Sequence, residues 1–332
     1  MYEIFLSILI AFILCVIVSP LVIIFAKKLK LKQTIYEYVD MHNSKKGTPT
    51  MGGLSFLIAI TITSLIITRA SGVLANITIV VTLAYGVLGF LDDFIKIKLA
   101  RNLGLRAYQK VIGQVAIAII IGIFVYSSGL VGTDIYIPFT TISLDLGYFI
   151  IPFTILVFLA TTNSVNLTDG LDGLASGTSL AFLVGFTFMF YILLSKFGYL
   201  PNILAEQTNL LIVGGAGIGA LLGYLMFNCY PAKIFMGDTG SLALGGLLSC
   251  LCIFSKQVLL IPILGACFVL SSVSVIIQVF SFKLTKKRVF LMAPYHHHLE
   301  KKGIHETRIT FIYIVITSII SVSGILITLL LN

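Results

Sequence analysis

Long apolar runs separated by short polar segments extend along the whole sequence. Dividing the chain at every Asp, Glu, Lys and Arg leaves ten charge-free stretches of 17 to 26 residues. A helix needs about 20 mainly apolar residues to cross a hydrocarbon core about 30 Å thick, and it satisfies its own backbone hydrogen bonds there. The pattern therefore predicts ten membrane-spanning helices, at 4–26, 47–68, 70–91, 111–133, 146–168, 173–195, 207–232, 239–255, 257–282 and 309–332.

The low charge content excludes an ordinary soluble enzyme. Charged residues make up 11% of the 332 positions and hydrophobic residues 58%, whereas soluble proteins are about 25% charged. The segments between the apolar stretches are too short for a separate soluble domain, so any chemistry must lie in loops and helix ends. We expect an all-α integral membrane protein in which residues 1–332 form a single polytopic domain.

The distribution of the net charge of +9 indicates a topology. With ten spans, 19 of the 22 Lys and Arg residues fall on one side of the membrane, and the other side has only Arg69, Lys196 and Lys256. Because basic loops remain cytoplasmic, both termini are predicted to be extracytoplasmic. The charge is thus explained by membrane topology, and we expect no nucleic-acid partner.

Polar chemistry is concentrated in the predicted cytoplasmic segments. Nine of the 13 acids and all five histidines lie there. Ionisable groups near a membrane are costly and usually functional, so we expect these segments to converge on one site at the cytoplasmic face. The outer acids, Glu3, Asp134, Asp145 and Glu206, have no evident task in the sequence, and residues 128–147 are predicted to form a small hairpin.

Carboxylates stand at the inner ends of two predicted spans. Asp92 and Asp93 are adjacent, and adjacent carboxylates repel unless they share a cation. A divalent metal or a cationic partner suits this pair, and a solvated helix end is the alternative. Asp238 lies in Phe235-Met-Gly-Asp238, where it would cap the following helix beside a small anion site or hold Mg²⁺ against a phosphate.

Four hydrogen-bonding side chains lie at the end of the fifth predicted span and in the segment that follows it: Asn163, Asn166, Asp169 and Asp172. In a helix the first three would share a face, and the intervening glycines would allow a ligand to approach the backbone closely. These features favour a binding segment over a plain turn.

Two further loops suit anionic ligands. His296, His297 and His298 are consecutive, which invites a zinc interpretation, although zinc ligands are usually spaced along the chain. Contact with phosphate is favoured, and a polar loop without a role is the third interpretation. Lys45 and Thr50 lie in a flexible loop before the second span, where a simple turn is the alternative.

One glycine motif is better explained by packing. Gly215-Ala-Gly-Ile-Gly219 resembles half of a dinucleotide fingerprint, but no strand precedes it. Gly215, Gly219 and Gly223 recur every four residues, which predicts a helix face that packs closely against a neighbour.

Taken together, carboxylates for a hard metal and Lys and His for phosphate indicate phosphoryl transfer from a water-borne donor to a lipid-borne acceptor. A transporter is the alternative of a different class. The acids argue against it because they gather at one face, whereas transporter sites lie near the bilayer midplane.

Several motifs, in the same order, resemble those of the polyprenyl-phosphate N-acetylhexosamine-1-phosphate transferase superfamily. They are Asp92-Asp93, the segment 163–174, Phe235-Met-Gly-Asp238 and the triple histidine. The loop His42-x-x-Lys45-x-Gly-Thr-Pro-Thr-Met-Gly-Gly53 and the segment Pro294-Tyr-His-His-His-Leu-Glu300 are similar to the phospho-N-acetylmuramoyl-pentapeptide transferases within it.

The resemblance implies transfer of phospho-MurNAc-pentapeptide from UDP-MurNAc-pentapeptide to undecaprenyl phosphate, which gives lipid I and UMP in peptidoglycan synthesis. It also implies Mg²⁺ as the cofactor, a homodimer, and a bacterial plasma membrane with cytoplasmic catalytic loops. A UDP-GlcNAc transferase of the same superfamily is the alternative, and the triple histidine with the Gly-Thr-Pro-Thr-Met-Gly-Gly loop favours the muramoyl donor.

The resemblance further implies the catalytic residues. Asp238 would be the principal Mg²⁺ ligand, with Asp92 and Asp93 beside the metal and the lipid phosphate. His296 and His297 would lie near the pyrophosphate or the departing UMP.

Substrate-binding residues follow in the same way. Phe235 would stack on uracil in a pocket with Asn228 and Asp172. The remaining substrate contacts implied are Lys45, Thr50, Lys96, Lys110, Asn163, Asn166, Asp169 and His298.

Overall fold

The computed structural model describes residues 1–29, 47–99, 104–140, 142–195 and 200–331. These residues are mainly helical, with one small two-stranded sheet. The helices are α1 (Tyr2–Lys28), α2 (Gly53–Ile67), α3 (Val73–Lys98), α4 (Ala107–Ser127), α5 (Ile150–Thr168), α6 (Leu174–Leu194), α7 (Pro201–Asn228), α8 (Gly237–Phe254), α9 (Leu260–Leu264), α10 (Ala266–Thr285), α11 (Tyr295–Lys301) and α12 (Glu306–Leu330). The strands are β1 (Asp134–Tyr136) and β2 (Ser143–Asp145).

Each of the ten predicted apolar stretches contains a helix, which confirms an all-α membrane protein. Within the described ranges, nine helices are long and apolar enough to cross a membrane. The shorter apolar helix is α2, whose 15 residues extend only about 22 Å at about 1.5 Å per residue. The chain is therefore a multi-pass membrane protein.

The ninth predicted span differs from expectation because it is broken. It consists of α9 and α10, which meet at Gly265 with φ −90° and ψ 25°. No charged residue lies at the break, so a pattern based on charge-free length does not reveal it. A side chain at Gly265 would lie 2.6 Å from the carbonyl oxygen of Ile261, which shows how tightly the chain bends.

The glycine face predicted on the seventh span is confirmed, and it packs against α1. A Cβ atom at Gly215 would clash with Ser7, and one at Gly219 would clash with the carbonyl group of Ile8. One at Gly223 would lie 2.9 Å from the carbonyl oxygen of Phe12. The absent side chains let the two helix backbones approach closely.

The small hairpin predicted at residues 128–147 is also confirmed, and we call it the outer hairpin after its predicted side of the membrane. Its strands β1 and β2 are antiparallel, with Asp134 opposite Asp145. The expectation that the outer acids have no task is wrong for Asp134 and Asp145. The Lys256 ammonium lies 2.7 Å from Asp134 Oδ1, and Asp145 accepts a hydrogen bond from the Thr133 hydroxyl.

Glu206 is the third outer acid with a structural task. Its two carboxylate oxygens accept hydrogen bonds from the backbone N–H groups of Val73 at 3.0 Å and Leu74 at 2.9 Å. It thereby caps the N-terminus of α3 from another helix, α7. A cap supplied by a distant residue cannot be read from local sequence, which is why the task was missed.

Candidate functional site

Polar residues from four helix ends meet at one place. Asp92 and Asp93 lie near the end of α3 and are 1% and 4% exposed. Lys110 lies in the first turn of α4, Asn166 near the end of α5, and Asp238 in the first turn of α8. The predicted convergence of these separate segments is therefore confirmed for the described residues.

Two lysines bridge two of the carboxylates. The Lys96 ammonium lies 2.6 Å from Asp92 Oδ2 and 2.9 Å from Asp238 Oδ2. The Lys110 ammonium lies 2.5 Å from Asp238 Oδ2 and 3.3 Å from Asp92 Oδ2. The Lys96 ammonium also lies 3.9 Å from Asp93 Oδ1, so the adjacent pair Asp92 and Asp93 has a cationic partner, which is one of the two partners expected for it.

Asp93 has a different environment, and it corrects an expectation about Asp238. Helix α8 begins at Gly237, so Asp238 lies within its first turn and provides no side-chain cap. Instead, Asp93 accepts hydrogen bonds from the backbone N–H groups of Asp238 at 3.2 Å and Thr239 at 2.9 Å, and from the Thr239 hydroxyl at 2.7 Å. The anion site expected at this helix N-terminus is occupied by the Asp93 carboxylate.

Close backbone contact makes this cap feasible. A Cβ atom at Gly89, one turn before Asp93, would overlap the backbone of Asp238. Glycine at this position lets α3 approach the start of α8, so that a short aspartate side chain reaches the helix N-terminus.

The three aspartates could hold a metal ion. One oxygen from each of Asp92, Asp93 and Asp238 lies within 4.8 Å of the others. Such clustered carboxylate oxygens suit a hard divalent cation. Asp92 and Asp238 fit best, because the Oδ2 atom of each is paired with lysine ammonium groups, whereas both oxygens of Asp93 accept hydrogen bonds from the start of α8.

The two asparagines of α5 point to different neighbours. Asn166 donates hydrogen bonds to Asp238 Oδ1 at 2.8 Å and to the Ser241 hydroxyl at 2.7 Å. Asn163 donates to Gln114 Oε1 on α4 at 2.8 Å and to the carbonyl oxygen of its own helix at Leu159. Asn166 therefore adjoins the carboxylates directly, while Asn163 ties α5 to α4.

Asp169 and Asp172 follow the end of α5. Burial, together with the negative charge of the nearby carboxylates Asp238, Asp93 and Asp172, raises the pKa of the Asp169 carboxyl to about 8. Asp172 is buried, and its Oδ2 accepts a hydrogen bond from the backbone N–H of Ala232 at 2.9 Å. Asp172 thereby joins this turn to the segment before α8.

That segment is also joined to the loop before α2. The N–H of Phe235 donates a hydrogen bond to the carbonyl oxygen of Pro49 at 2.9 Å. The N–H of Gly52 donates to the carbonyl oxygen of Phe235 at 2.8 Å. Thr50 is 4% exposed, and a Cβ atom at Gly237 would lie 2.9 Å from its hydroxyl oxygen. Lys45 lies outside the described residues.

Asn228 fixes the other side of the same segment. Its Oδ1 accepts a hydrogen bond from the Ser176 hydroxyl at 2.7 Å, and its Nδ2 donates to the carbonyl oxygen of Ile234 at 3.0 Å. Asn228 therefore binds the residue that precedes Phe235. Asp172 binds the same segment at Ala232.

The three histidines separate into two groups. His296 and His297 lie against Gly170, where an added Cβ atom would overlap Nε2 of His296 and lie 3.1 Å from Nε2 of His297. His296 is completely buried, which holds its pKa well below the ordinary value. His298 instead accepts a hydrogen bond from the N–H of Leu291 at 3.1 Å through Nδ1.

The histidines do not form a zinc site within the described part of the chain. The group there with the geometry for a metal consists of the three aspartates. The structure also adds residues that the sequence did not single out. They are Gln114, Thr239 and Ser241. Glu300 ends the motif at 294–300, three positions after His297, but the sequence assigned it no role.

Comparison with known proteins identifies the family. Residues 75–256 match the model for glycosyl transferase family 4, and residues 45–57 match the phospho-N-acetylmuramoyl-pentapeptide-transferase signature 1. The chain is 46% identical to the phospho-N-acetylmuramoyl-pentapeptide-transferase of Clostridium kluyveri over 330 residues, which cover 98% of this chain and 99% of that protein.

Two other relatives have the same name. The protein of Clostridioides difficile is 43% identical over 94% of each chain. That of Desulfitobacterium hafniense is 42% identical over 98% of this chain and 97% of its own. With near-complete coverage at this identity, the chain belongs to the phospho-N-acetylmuramoyl-pentapeptide-transferase family, within glycosyl transferase family 4.

Proposed function

We propose that this protein transfers phospho-MurNAc-pentapeptide from UDP-MurNAc-pentapeptide to undecaprenyl phosphate, forming lipid I and UMP. The observation that carries this proposal is the cluster in which Lys96 and Lys110 bridge Asp92 and Asp238 at the ends of buried helices. Such a site joins carboxylates for a metal with cations for phosphate oxygens. Its position at helix ends suits a donor from water and an acceptor from lipid.

Mg²⁺ is the proposed cofactor, with Asp238 as the principal ligand, Asp92 beside it, and Asp93 holding the first turn of α8 in place. When bound, Mg²⁺ would stabilise negative charge developing on the donor pyrophosphate. Lys96 and Lys110 would then be free to contact phosphate oxygens. Asn166, which already donates to Asp238, would keep that carboxylate oriented.

The donor nucleotide is assigned to the neighbouring segment. Phe235 is half-buried and would stack on uracil, while Asn228 and Asp172 hold the backbone around it. Thr50 and Lys45 belong to the matched signature 45–57 and would contact the donor phosphates. Asp169, largely protonated at neutral pH, would donate a hydrogen bond to a phosphate oxygen.

The chemical step is proposed to be direct in-line attack by the lipid phosphate. The second pKa of a phosphate is about 6, so the acceptor is already mostly a dianion at neutral pH. The alternative is transient phosphorylation of a carboxylate such as Asp92. Incubation with labelled donor in the absence of lipid distinguishes the routes, because a covalent sugar-phosphate adduct on an aspartate would exclude direct attack.

Topology and assembly complete the proposal. The positive-inside distribution supports ten spans, including α2, with extracytoplasmic termini and a cytoplasmic catalytic face. A bacterial plasma membrane location and a homodimer accord with the family.

The test of the function is a donor comparison. Purified protein is incubated with undecaprenyl phosphate, Mg²⁺ and either UDP-MurNAc-pentapeptide or UDP-GlcNAc, and released UMP is measured. We expect UMP with the muramoyl donor. Release with UDP-GlcNAc only would instead assign the chain to the other branch of the superfamily.

A further inference from the structure

Glu300 forms a close pair with His297 on helix α11. Its Oε2 lies 2.6 Å from Nδ1 of His297, three positions earlier on the same helix. The Glu300 side chain is 6% exposed and that of His297 is 16% exposed. Burying a carboxylate costs free energy unless it is paired, so the contact with His297 stabilises the buried Glu300 side chain on α11.

This contact determines which ring nitrogen carries the proton. An ionised carboxylate only accepts hydrogen bonds, so Nδ1 of His297 must donate. In the neutral ring, Nε2 then carries the lone pair. The partner of one nitrogen thereby sets the chemistry of the other.

The second nitrogen faces the candidate site. Nε2 of His297 lies at Gly170, where an added Cβ atom would be 3.1 Å away. Gly170 directly follows Asp169. Burial and the negative charge of Asp238 raise the pKa of the Asp169 carboxyl. The His297 ring also packs on that of His296, with centroids 4.4 Å apart, which limits its rotation.

We propose that Glu300 is a positioning residue for the transfer reaction: it fixes His297 with Nδ1 protonated and Nε2 directed to the turn at Asp169 and Gly170, where the donor phosphates bind. The inference rests on the proposed function for the identity of that ligand. The paired geometry itself belongs to the free protein.

The first test observes the tautomer and needs no substrate. Protein labelled with ¹⁵N-histidine is examined by NMR at a pH where neutral imidazole predominates, and the His297 signals are assigned with the variant His297→Asn. We expect a protonated Nδ1 and an unprotonated Nε2 in the wild type. A His297 signal protonated at Nε2 in the wild type would overturn the proposal, whatever the activity of the protein.

The second test measures the reaction in Glu300→Gln, with Glu306→Gln on α12 as the matched control. Glutamine keeps the size of the side chain but loses the carboxylate, so His297 should lose its fixed tautomer. We expect kcat to fall on the order of 10²-fold, with KM for the donor within about twofold and with Glu306→Gln at the wild-type rate. Unchanged kcat in folded Glu300→Gln would refute the positioning role.

The outcomes also separate the two proposals. Wild-type protein that releases no UMP from the muramoyl donor refutes the proposed function, and the NMR result still decides the His297 geometry. A loss of activity in Glu300→Gln with an unchanged His297 tautomer refutes the inference and leaves the proposed function standing.

Discussion

The charged groups at the outer hairpin and those at the ends of α3 and α8 are arranged differently. At the hairpin, Asp134 pairs with the single ammonium of Lys256, and its charge is balanced. At the other place, three carboxylates, Asp92, Asp93 and Asp238, share two lysines, so that acidic side chains outnumber basic ones by one. We name these three aspartates with Lys96 and Lys110 the acidic cluster.

This difference separates structural from functional charge. A balanced and partly exposed pair contributes only a fraction of a kcal/mol to about 1 kcal/mol. An excess of buried carboxylates is costly, and the proposed Mg²⁺ would supply positive charge that offsets this cost. The predictions below compare the acidic cluster with the outer pair.

Asp238→Asn should give the largest effect. Loss of its charge removes one of the two carboxylates that both lysines share and the principal proposed metal ligand, so kcat should fall on the order of 10³-fold. Steady-state UMP release measures this, with Asp134→Asn as the matched control. Equal activity of the two variants would contradict the distinction between the acidic cluster and the outer pair of Asp134 and Lys256.

Lys110→Gln should have the next largest effect. Without this ammonium, only Lys96 offsets the repulsion between Asp92 and Asp238, and a phosphate oxygen loses a cationic partner, so kcat/KM should fall on the order of 10²-fold. The same kinetic assay on Lys256→Gln provides the comparison. A similar loss in Lys256→Gln would mean that any buried lysine has this effect.

Asp169 should control the alkaline side of the pH profile. Because burial and the neighbouring carboxylates raise its pKa to about 8, the carboxyl is mostly neutral below that pH and mostly charged above it. The charge repels donor phosphates, so kcat/KM of the wild type should fall about tenfold by pH 9. Asp169→Asn should lack this fall, and parallel profiles of the two proteins from pH 7 to 9 would refute the explanation.

Asp134→Asn should give the smallest effect. It removes one partly exposed ion pair with Lys256, so the free energy of unfolding should fall by at most about 1 kcal/mol. Thermal unfolding in detergent measures this change. UMP release should stay within about twofold of the wild type; a larger loss would assign the outer hairpin a part in catalysis.

Much of the fold could be predicted because a bilayer imposes a simple rule on composition. Charge-free length located every described helix except α11, and the four-residue spacing of Gly215, Gly219 and Gly223 predicted a closely packed helix face. The break at Gly265 and the shortness of α2 could not be predicted, since both depend on backbone geometry within an uncharged stretch.

The candidate site could be predicted as a set of residues but not as a set of contacts. Motif chemistry selected Asp92, Asp93 and Asp238. It did not reveal that Asp93 caps α8 or that Asn163 turns to Gln114. Such partners are far apart in sequence, and only the packing of helices brings them together.

The measurement that tests the central claim most directly is UMP release by the wild-type protein from UDP-MurNAc-pentapeptide and undecaprenyl phosphate, with Mg²⁺ or with an excess of chelator. The account predicts UMP in equal amount to the lipid product with Mg²⁺, and no release with chelator that is restored when Mg²⁺ is added back. Undiminished release in chelator, or none with Mg²⁺, would contradict the assignment of the acidic cluster as a metal-assisted phosphoryl-transfer site.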